Sequence, residues 1–380
     1  MSRGAKIILG ILLLTVSIVA LIYLLGYRGP SPAEQTAAPR RYVVDFAGRN
    51  VTLPERVNRV VAIGPGMLRL VCYLNATDLL VGVEESELQW GFAGRDYAMA
   101  CGDLFKNLPV IGPGGPGKPP VPELIVKVKP DLIIMSSLYA SSYDPDKLQQ
   151  ETNATVIVMD YGIPGYVVVE DLVKALRILG KALNREERAE KLISFIESVR
   201  RDLDARTASI AQRPKVYVGA VSYKGGQPLT STQSPFPPLV LLNTPSVADK
   251  YAKKSGYLSL DFEALITDQP DIIFIDEGNL NIVKQDFDKN PGKYLQLEAF
   301  KRGRVYGILP FNYYHTNIAT ALADAYWMGK ILYPDKFADV NPEAKADEIF
   351  RAFLGKPLYN GYKEAYGGFV SLADVFKVSG

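Results

Sequence analysis

The chain predicts an α/β fold of two parallel-sheet lobes, each a three-layer αβα sandwich, joined by a single long connecting helix. Three observations carry this. The segment PELIVKVKPDLIIMS at 122–136 recurs as FEALITDQPDIIFID at 262–276. Each copy places a glutamate (Glu123, Glu263), then a proline (Pro130, Pro270), an aspartate and an unbroken apolar run. Proline cannot continue a helix and pushes the preceding residue out of the α region, so each copy reads as helix, sharp stop and doubly buried strand. Two copies at domain-scale spacing imply two similar lobes. About 340 residues follow the amino-terminal region, enough for two full cores and too many for one simple core. A long apolar stripe of helical period lies between the copies.

The elements follow in order. Arg41 to Leu53 alternates as YVVDF and NVTL around Gly48, a short hairpin. RVVAI is a buried strand, followed by GPGM and the helix LRLVCYLNA, and LLVGV is the next strand. Glu84 to Leu108 lacks sustained periodicity and holds Trp90, Phe92, Tyr97 and Phe105, so it reads as a long loop with short helical turns. LPVIGPGGPGKPP leads into the first repeat copy, and TVIVMD closes lobe one. Glu170 to Ala211 is almost continuously helical, with Leu172, Leu176, Leu179 and Leu183 on one face. Past a cap at Asn184, Leu192, Phe195, Ile196, Val199 and Leu203 carry the stripe on, which makes this stretch the connector. KVYVGAV opens lobe two, then come a loop from Ser222 to Pro238, the second copy, the strand RVYGI and a helix from Asn317 to Leu332. The tail adds the helix ADEIFRAFL and a tyrosine- and glycine-rich end. The expected division is 1–27 membrane anchor or signal, 28–40 flexible stalk, 41–165 amino-terminal lobe, 166–212 connecting helix, 213–337 carboxy-terminal lobe and 338–380 extension.

Lys6 to Tyr27 contains about twenty nearly uncharged residues, long enough to cross a hydrocarbon core. Arg3 and Lys6 precede it, which keeps the amino end in the cytoplasm. The run is longer than a signal-peptide core and no small-residue cleavage site follows directly, so an uncleaved anchor is the preferred reading over a cleaved signal. Either way the lobes lie outside, at the cell surface or, after cleavage, in the periplasm. Gly29 to Pro39 reads as the stalk. With 43 basic against 41 acidic residues there is no electrostatic reason to expect nucleic acid. Cys72 and Cys101 form no CxxC pair, so zinc and iron–sulfur sites are disfavoured; a disulfide is allowed outside the cell but not required.

Most chemical motifs fail on inspection. Gly112 to Lys118 satisfies G-x-x-x-x-G-K, but Pro119 and Pro120 stand where a phosphate loop needs a hydroxyl and amide donors. The stretch reads instead as a proline-rigid cleft loop. GxSxG is absent, and the sole histidine, His315 in FNYYHTN, has no obvious serine partner, so an enzyme is not expected. That histidine also rules out a histidine-rich metal cage, although with Tyr313 and Tyr314 it suits an iron-bearing or flat guest. No cofactor is expected, and no metal ligand set is assigned. Asp131 and Asp271 read as turn chemistry. Glu123 and Glu263, matched across two lobes, suit docking onto a two-fold partner with basic pockets.

Read together, PERVNRVVAIGPGMLRLVCYLNATDLLVGV, the two repeat copies, VEDLVKALRILGKALNREERAEKLI and LEAFKRGRVYGI resemble the substrate-binding proteins of ABC importers for ferric siderophores, haem and vitamin B12, over roughly Arg41 to Phe337. That resemblance implies a ligand held between two lobes, only modest closure, and glutamates at the positions of Glu123 and Glu263 docking on arginines of an ABC transporter permease dimer. The usual Ser-x-x-Thr-Glu after the first strand is replaced here by Gly66, Met67, Leu68 and Arg69. Cleft loops at the carboxyl ends of strands carry Trp90, Tyr97, Tyr139, Tyr143, Tyr223, Tyr313, Tyr314 and His315. So many aromatics favour a large, partly planar ligand over a bare ion. The expected ligand-binding set is Trp90, Tyr97, Tyr139, Tyr223, Tyr313, Tyr314 and His315, and the expected guest a metal chelate. A ferric complex comes first, with corrinoid or haem next. An anchored extracellular enzyme and an anchored scaffold are the remaining alternatives.

Overall fold

The computed structural model of the protein describes residues 21–23, 41–222 and 225–377. The chain enters through the expected hairpin, β1 (Tyr42–Val44) antiparallel to β2 (Asn50–Thr52). Asp45 closes its turn by accepting the amides of Ala47 and Arg49 at 3.0 and 2.9 Å. Then β3 (Val60–Ile63), β4 (Leu132–Ser136) and β5 (Thr155–Met159) form a parallel sheet in the order β3-β4-β5. The second half repeats the plan with β6 (Val216–Gly219). An antiparallel pair follows, β7 (Ser231–Ser234) with β8 (Gly256–Ser259), of which β7 falls within the loop expected over Ser222 to Pro238. Finally β9 (Ile272–Asp276) and β10 (Val305–Ile308) complete a parallel sheet in the order β10-β9-β6. The two repeat copies therefore supply β4 and β9, the central strands, and every residue of both is buried.

The repeated aspartates do the same work in each lobe. Asp131 accepts the amides of Asn58 and Arg59 at 2.8 and 3.0 Å, and Asp271 accepts that of Lys215 at 2.8 Å. Each carboxylate thus fastens the neighbouring strand at the sheet edge remote from the loops described below. The run LLVGV makes only isolated bridges, Val60 with Leu80 and Val83 with Val110, because Gly82 interrupts its pleat. Between Glu84 and Leu108 the chain is more ordered than expected, with helices at Glu85–Gln89 and Asp96–Phe105.

Alternation along the strands sorts the core. In the first sheet Val61, Ile63, Ile133 and Met135 point into one apolar cluster, and Val60, Ala62, Leu132 and Ile134 into another. In the second, Tyr217, Ile273 and Ile275 line a third cluster. Val216, Val218, Ile272 and Phe274 instead rejoin the cluster under the inner face of the first sheet. Helical leucines and isoleucines such as Leu172, Leu192, Ile196 and Leu322 make that shared core continuous. Each side chain of this size buried completely contributes about 1.5–3 kcal/mol. A core common to both sheets explains why Tyr42–Gly380 forms one compact unit.

The connector differs from expectation. Asn184 adopts φ 54°, ψ 49°, a left-handed conformation that asparagine tolerates, and it ends a helix at Val169–Leu183. A second helix, Glu186–Thr207, runs back along the first, tied by Arg177 to Glu190 at 2.8 Å and Arg200 to Glu170 at 3.2 Å. Only this second helix leads into β6, so the single helix expected over 166–212 is a helical hairpin.

The extension past Phe337 spans both halves. Its helix Pro342–Leu354 sets Phe353 against Tyr73 of the first lobe, with ring centroids 4.8 Å apart, and Lys356 donates to the Ala100 carbonyl at 2.6 Å. Farther on, Phe369 stacks on Trp327 at 5.4 Å, and Ser371 bridges antiparallel to Tyr306, extending the second sheet. The anchor expected over Lys6 to Tyr27, apart from Leu21–Tyr23, and the stalk lie outside the described residues. Among the described residues no helix is long and apolar enough to cross a membrane.

Candidate functional site

Loops from the carboxyl ends of both sheets meet at one seam. From the first lobe come Gly64, Glu84 to Asp96, Gly115, Ser137 to Tyr139 and Asp160 to Gly165; from the second come Gln233 and Asn312 to Asn317. Glu84 lies at the floor, almost fully buried. Its carboxylate accepts the Gly64 amide at 2.8 Å and the Tyr314 hydroxyl at 3.1 Å. Burial lifts this carboxyl from 4.5 to about 7, although the amide and the phenols favour its ionised form. The proline-rich loop closes over it. Gly115, at φ 92°, donates its amide to the Tyr314 oxygen at 3.1 Å, and its carbonyl accepts from Tyr139 at 3.0 Å. A Cβ there would stand 3.1 Å from the Trp90 indole in a backbone region L-residues avoid, so glycine is required.

Arg69 is the pin of the seam. It is wholly buried, pairs with Asp96 at 3.0 Å and donates to Tyr161 Oη at 2.6 Å. Across the seam it donates to the carbonyls of Tyr313 and Tyr314 at 3.1 and 3.2 Å and to Asn317 Oδ1 at 2.8 Å, while lying over the Tyr97 ring at 4.7 Å. Those contacts hold a strained turn. Tyr314 and His315 adopt φ 52° and 78° in succession, and each such non-glycine residue costs about 1–3 kcal/mol unless its surroundings over-determine it.

His315 is buried against Tyr161, with ring centroids 4.0 Å apart, and its Nδ1 accepts the Thr316 amide at 2.8 Å. Burial, helped by the nearby Arg69 charge, drives it down to about 3, so it is neutral. Asp160 lies 3.9 Å from its Nε2 and accepts from Ser137 Oγ. That places the carboxylate between serine and histidine, whereas nucleophilic catalysis needs the imidazole between them. Among the described residues no group of three or more His, Cys, Asp or Glu is arranged to hold a metal ion.

Aromatic rings cover the outer part of the seam. Trp90, 37% exposed, lies parallel to the half-buried Tyr313 at 6.5 Å and edge-on to Tyr314 at 4.8 Å. Tyr313 donates to the Trp90 carbonyl at 3.1 Å. The arrangement is one of two lobes meeting at strand ends over an aromatic, hydrogen-bonded seam, and a family model described as periplasmic binding protein matches residues 60–310. The chain belongs to the periplasmic binding protein family.

Within that family the chain is 21% identical to the uncharacterized ABC transporter substrate-binding lipoprotein YvrC of Bacillus subtilis, over 77% of this chain and 88% of that one. It is also 21% identical to the molybdate-binding protein MolA of Haemophilus influenzae, over 84% and 92%. The structure of MolA bound to molybdate superposes with a TM-score of 0.64 at 18% identity, covering 83% of this chain and 98% of that chain. An ABC transporter solute binding protein from Sulfurospirillum deleyianum superposes with a TM-score of 0.63 at 23% identity, covering 86% and 98%. At these identities the structural likeness carries the two-lobed fold. The family is one of solute-binding proteins rather than enzymes.

In this periplasmic binding protein the expected ligand residues divide. Trp90, Tyr139, Tyr313 and Tyr314 gather at the seam, while Tyr223 lies outside the described residues. Tyr97 is fully buried beneath Arg69, its hydroxyl donating to Glu87 at 2.7 Å, and His315 is committed to Tyr161 and Thr316. Tyr139 and Tyr314, 4% and 8% exposed, are as buried as His315 at 5%, so among these candidates it is Trp90 and Tyr313 that reach the seam's surface. Glu123 and Glu263 are exposed in the first turns of matching helices, Pro122–Lys127 and Phe262–Asp268, and neither forms a salt bridge among the described residues. Sequence reading passed over Glu84, Tyr161 and Asn317. Only Glu84, directly after a strand, left a signal that position alone offers.

Proposed function

We propose that this periplasmic binding protein captures a metal chelate, a ferric complex first, between its lobes and delivers it to an ABC transporter permease outside the cytoplasm. The observation that carries the reading is the ring cluster of Trp90, Tyr139, Tyr313 and Tyr314 at the seam. Ring faces and phenols suit a broad, partly apolar guest. A bare oxyanion such as molybdate needs a cluster of free donors, amides, hydroxyls or cations, and the two buried arginines here are committed. Arg69 is bound to Asp96, Tyr161 and Asn317, and Arg95 to Glu87 and the Gly91 carbonyl. Corrinoid or haem is the second choice of guest for the same rings. In this reading the amino-terminal segment anchors the protein, the lobes stay outside, and Glu123 and Glu263 meet the permease.

Trp90 is one of two tryptophans, so its fluorescence reports the seam directly. Titration with a ferric siderophore, haem, cobalamin and molybdate should quench it saturably with one chelate, and Tyr314→Ala should weaken that binding. Tight binding of molybdate alone would replace the chelate. Binding of none below millimolar, about −4 kcal/mol, would end the ligand assignment.

A further inference from the structure

The extension carries its last helix, Tyr359–Tyr366, to the edge of the seam. Tyr359, Tyr362 and Tyr366 fall at i, i+3 and i+7, one face of a helix. The first two are buried: Phe350 stacks on Tyr362 with ring centroids 5.5 Å apart, and Thr320 shares a 2.9 Å hydrogen bond with the Tyr362 hydroxyl. The helix is tied at its far end as well, where the Gly368 amide donates to Glu277 at 3.0 Å and the Phe369 amide to Tyr359 Oη at 2.9 Å. Tyr366, its last residue, is only half-buried, with its ring 6.3 Å from that of Tyr362. A Cβ on Gly94 would strike Tyr366 Oη and stand 3.4 Å from Tyr313 Cδ1. Gly94, at φ 80°, is therefore where a loop of lobe one, a loop of lobe two and the extension meet.

We propose that Tyr366 is a ligand-binding residue, donating a hydrogen bond from its phenol to an oxygen acceptor of the guest. The inference rests on the reading of the seam as the guest's site. The other phenols there are committed: Tyr139 donates to the Gly115 carbonyl, Tyr314 to Glu84 and Tyr313 to the Trp90 carbonyl. Tyr366 Oη has no hydrogen-bond partner among the described residues, and it is not sealed from water. An unfilled phenol donor beside Trp90 and Tyr313, the two rings that reach the surface, is what a guest's acceptor can satisfy.

Burial, and after it the neighbouring Tyr313, holds the Tyr366 hydroxyl above its usual range, so the free protein presents a neutral donor rather than a phenolate. Such a donor addresses the carboxylate, carbonyl or hydroxamate oxygens at a chelate's rim and leaves the metal to the chelator. The ring itself adds a third aromatic surface next to Trp90 and Tyr313. The extension is then part of the binding site as well as of the core.

The test titrates the full chain and its Tyr366→Phe and Tyr366→Ala variants with a ferric siderophore, haem, cobalamin and molybdate, following tryptophan fluorescence. Since the hydroxyl bonds nothing among the described residues, Tyr366→Phe should keep the parent's melting temperature while weakening the bound guest about tenfold, the scale of one lost hydrogen bond. Tyr366→Ala should weaken it further, by about another threefold, through the lost ring. A guest bound equally by the parent and by Tyr366→Phe would overturn the proposal and leave the reading of the seam intact. Molybdate binding that weakens in Tyr366→Phe, with no chelate bound, would support Tyr366 while ending the chelate reading. No saturable quenching of the parent by any of these compounds would end both.

Discussion

Arg69 and Asn317 join the two halves of the seam through a 2.8 Å hydrogen bond made entirely out of contact with water. The same asparagine accepts the Asp96 amide at 3.0 Å and donates to the carbonyls of Gly94 and Phe311 at 3.1 and 3.0 Å. It therefore answers the arginine and the aspartate at once, and so fixes the start of the helix Ile318–Leu332 against the first lobe.

Removing the guanidinium leaves Asp96 buried and uncompensated. Arg69→Met should lower stability by about 3–5 kcal/mol, as breaking a buried pair does. Arg69→Lys should recover little, because an ammonium cannot reach five acceptors in the planar fork that Arg69 uses. Pairing Arg69→Met with Asp96→Asn should cost less than Arg69→Met alone. Denaturant unfolding decides this, and an Arg69→Met protein within 1 kcal/mol of the parent would remove the pin from the account.

Two buried groups at the seam give opposing pH dependence. Glu84 rises from 4.5 to about 7 on folding, so its contribution is fully present below pH 4.5 and is lost as pH rises through 7. His315 falls from 6.5 to about 3, so its contribution is present above pH 6.5 and is lost as pH falls towards 3. Their windows overlap, and the parent protein shows only the difference. Glu84→Gln, which cannot ionise, should raise stability relative to the parent above pH 7, by on the order of 3 kcal/mol, and by much less near pH 4.5. Melting temperatures at pH 5 and pH 8 measure it; an equal shift at both would show that Glu84 is not held as a buried carboxyl.

The extension should matter to stability as much as a core strand does. Phe369 is 8% exposed and stacks on Trp327, and Phe376 meets Phe287 and Phe300 at 5.2 and 5.1 Å. Phe376→Ala should therefore cost about 3–5 kcal/mol. A loss below 1 kcal/mol in chemical denaturation would mean that the tail is appended to the fold without supporting it.

What was legible in the sequence was what local chemistry dictates. Proline stops followed by apolar runs located β4 and β9, whereas the aspartates between them, read as turn residues, instead accept amides 56 to 73 residues away that lead into the neighbouring strand, a pairing no local pattern shows. The broken connector was not legible, because Asn184 turns the chain without disturbing the stripe: Leu179 and Leu192 are buried in one core whether the helix continues or folds back. Arg69 was visible only as a departure from the usual motif. Its partners Asp96, Tyr161 and Asn317 stand 27, 92 and 248 residues away, distances at which no periodicity operates. The aromatic seam was legible from rings placed after strands, yet which rings face outward depended on that same buried network. Tyr97, drawn under Arg69, is the clearest case.

Glu123 and Glu263 offer the last test, since each opens a short exposed helix at the same place in the repeat and engages no cation among the described residues. A carboxylate in the first turn is already favoured by the helix dipole, so neither needs a partner within the chain to be stable there. If they meet basic pockets on a permease, reversing both to lysine should abolish uptake through like-charge repulsion, which costs several kcal/mol across a docking surface. Ligand affinity should stay unchanged, because among the described residues neither glutamate's side chain is hydrogen-bonded or ion-paired to a residue of the seam. Uptake by reconstituted transporter, measured beside fluorescence titration of the free protein, separates the two effects. Normal uptake by the Glu123→Lys, Glu263→Lys protein would rule out docking through these glutamates, and weakened ligand binding would show that the substitutions had disturbed the lobes themselves.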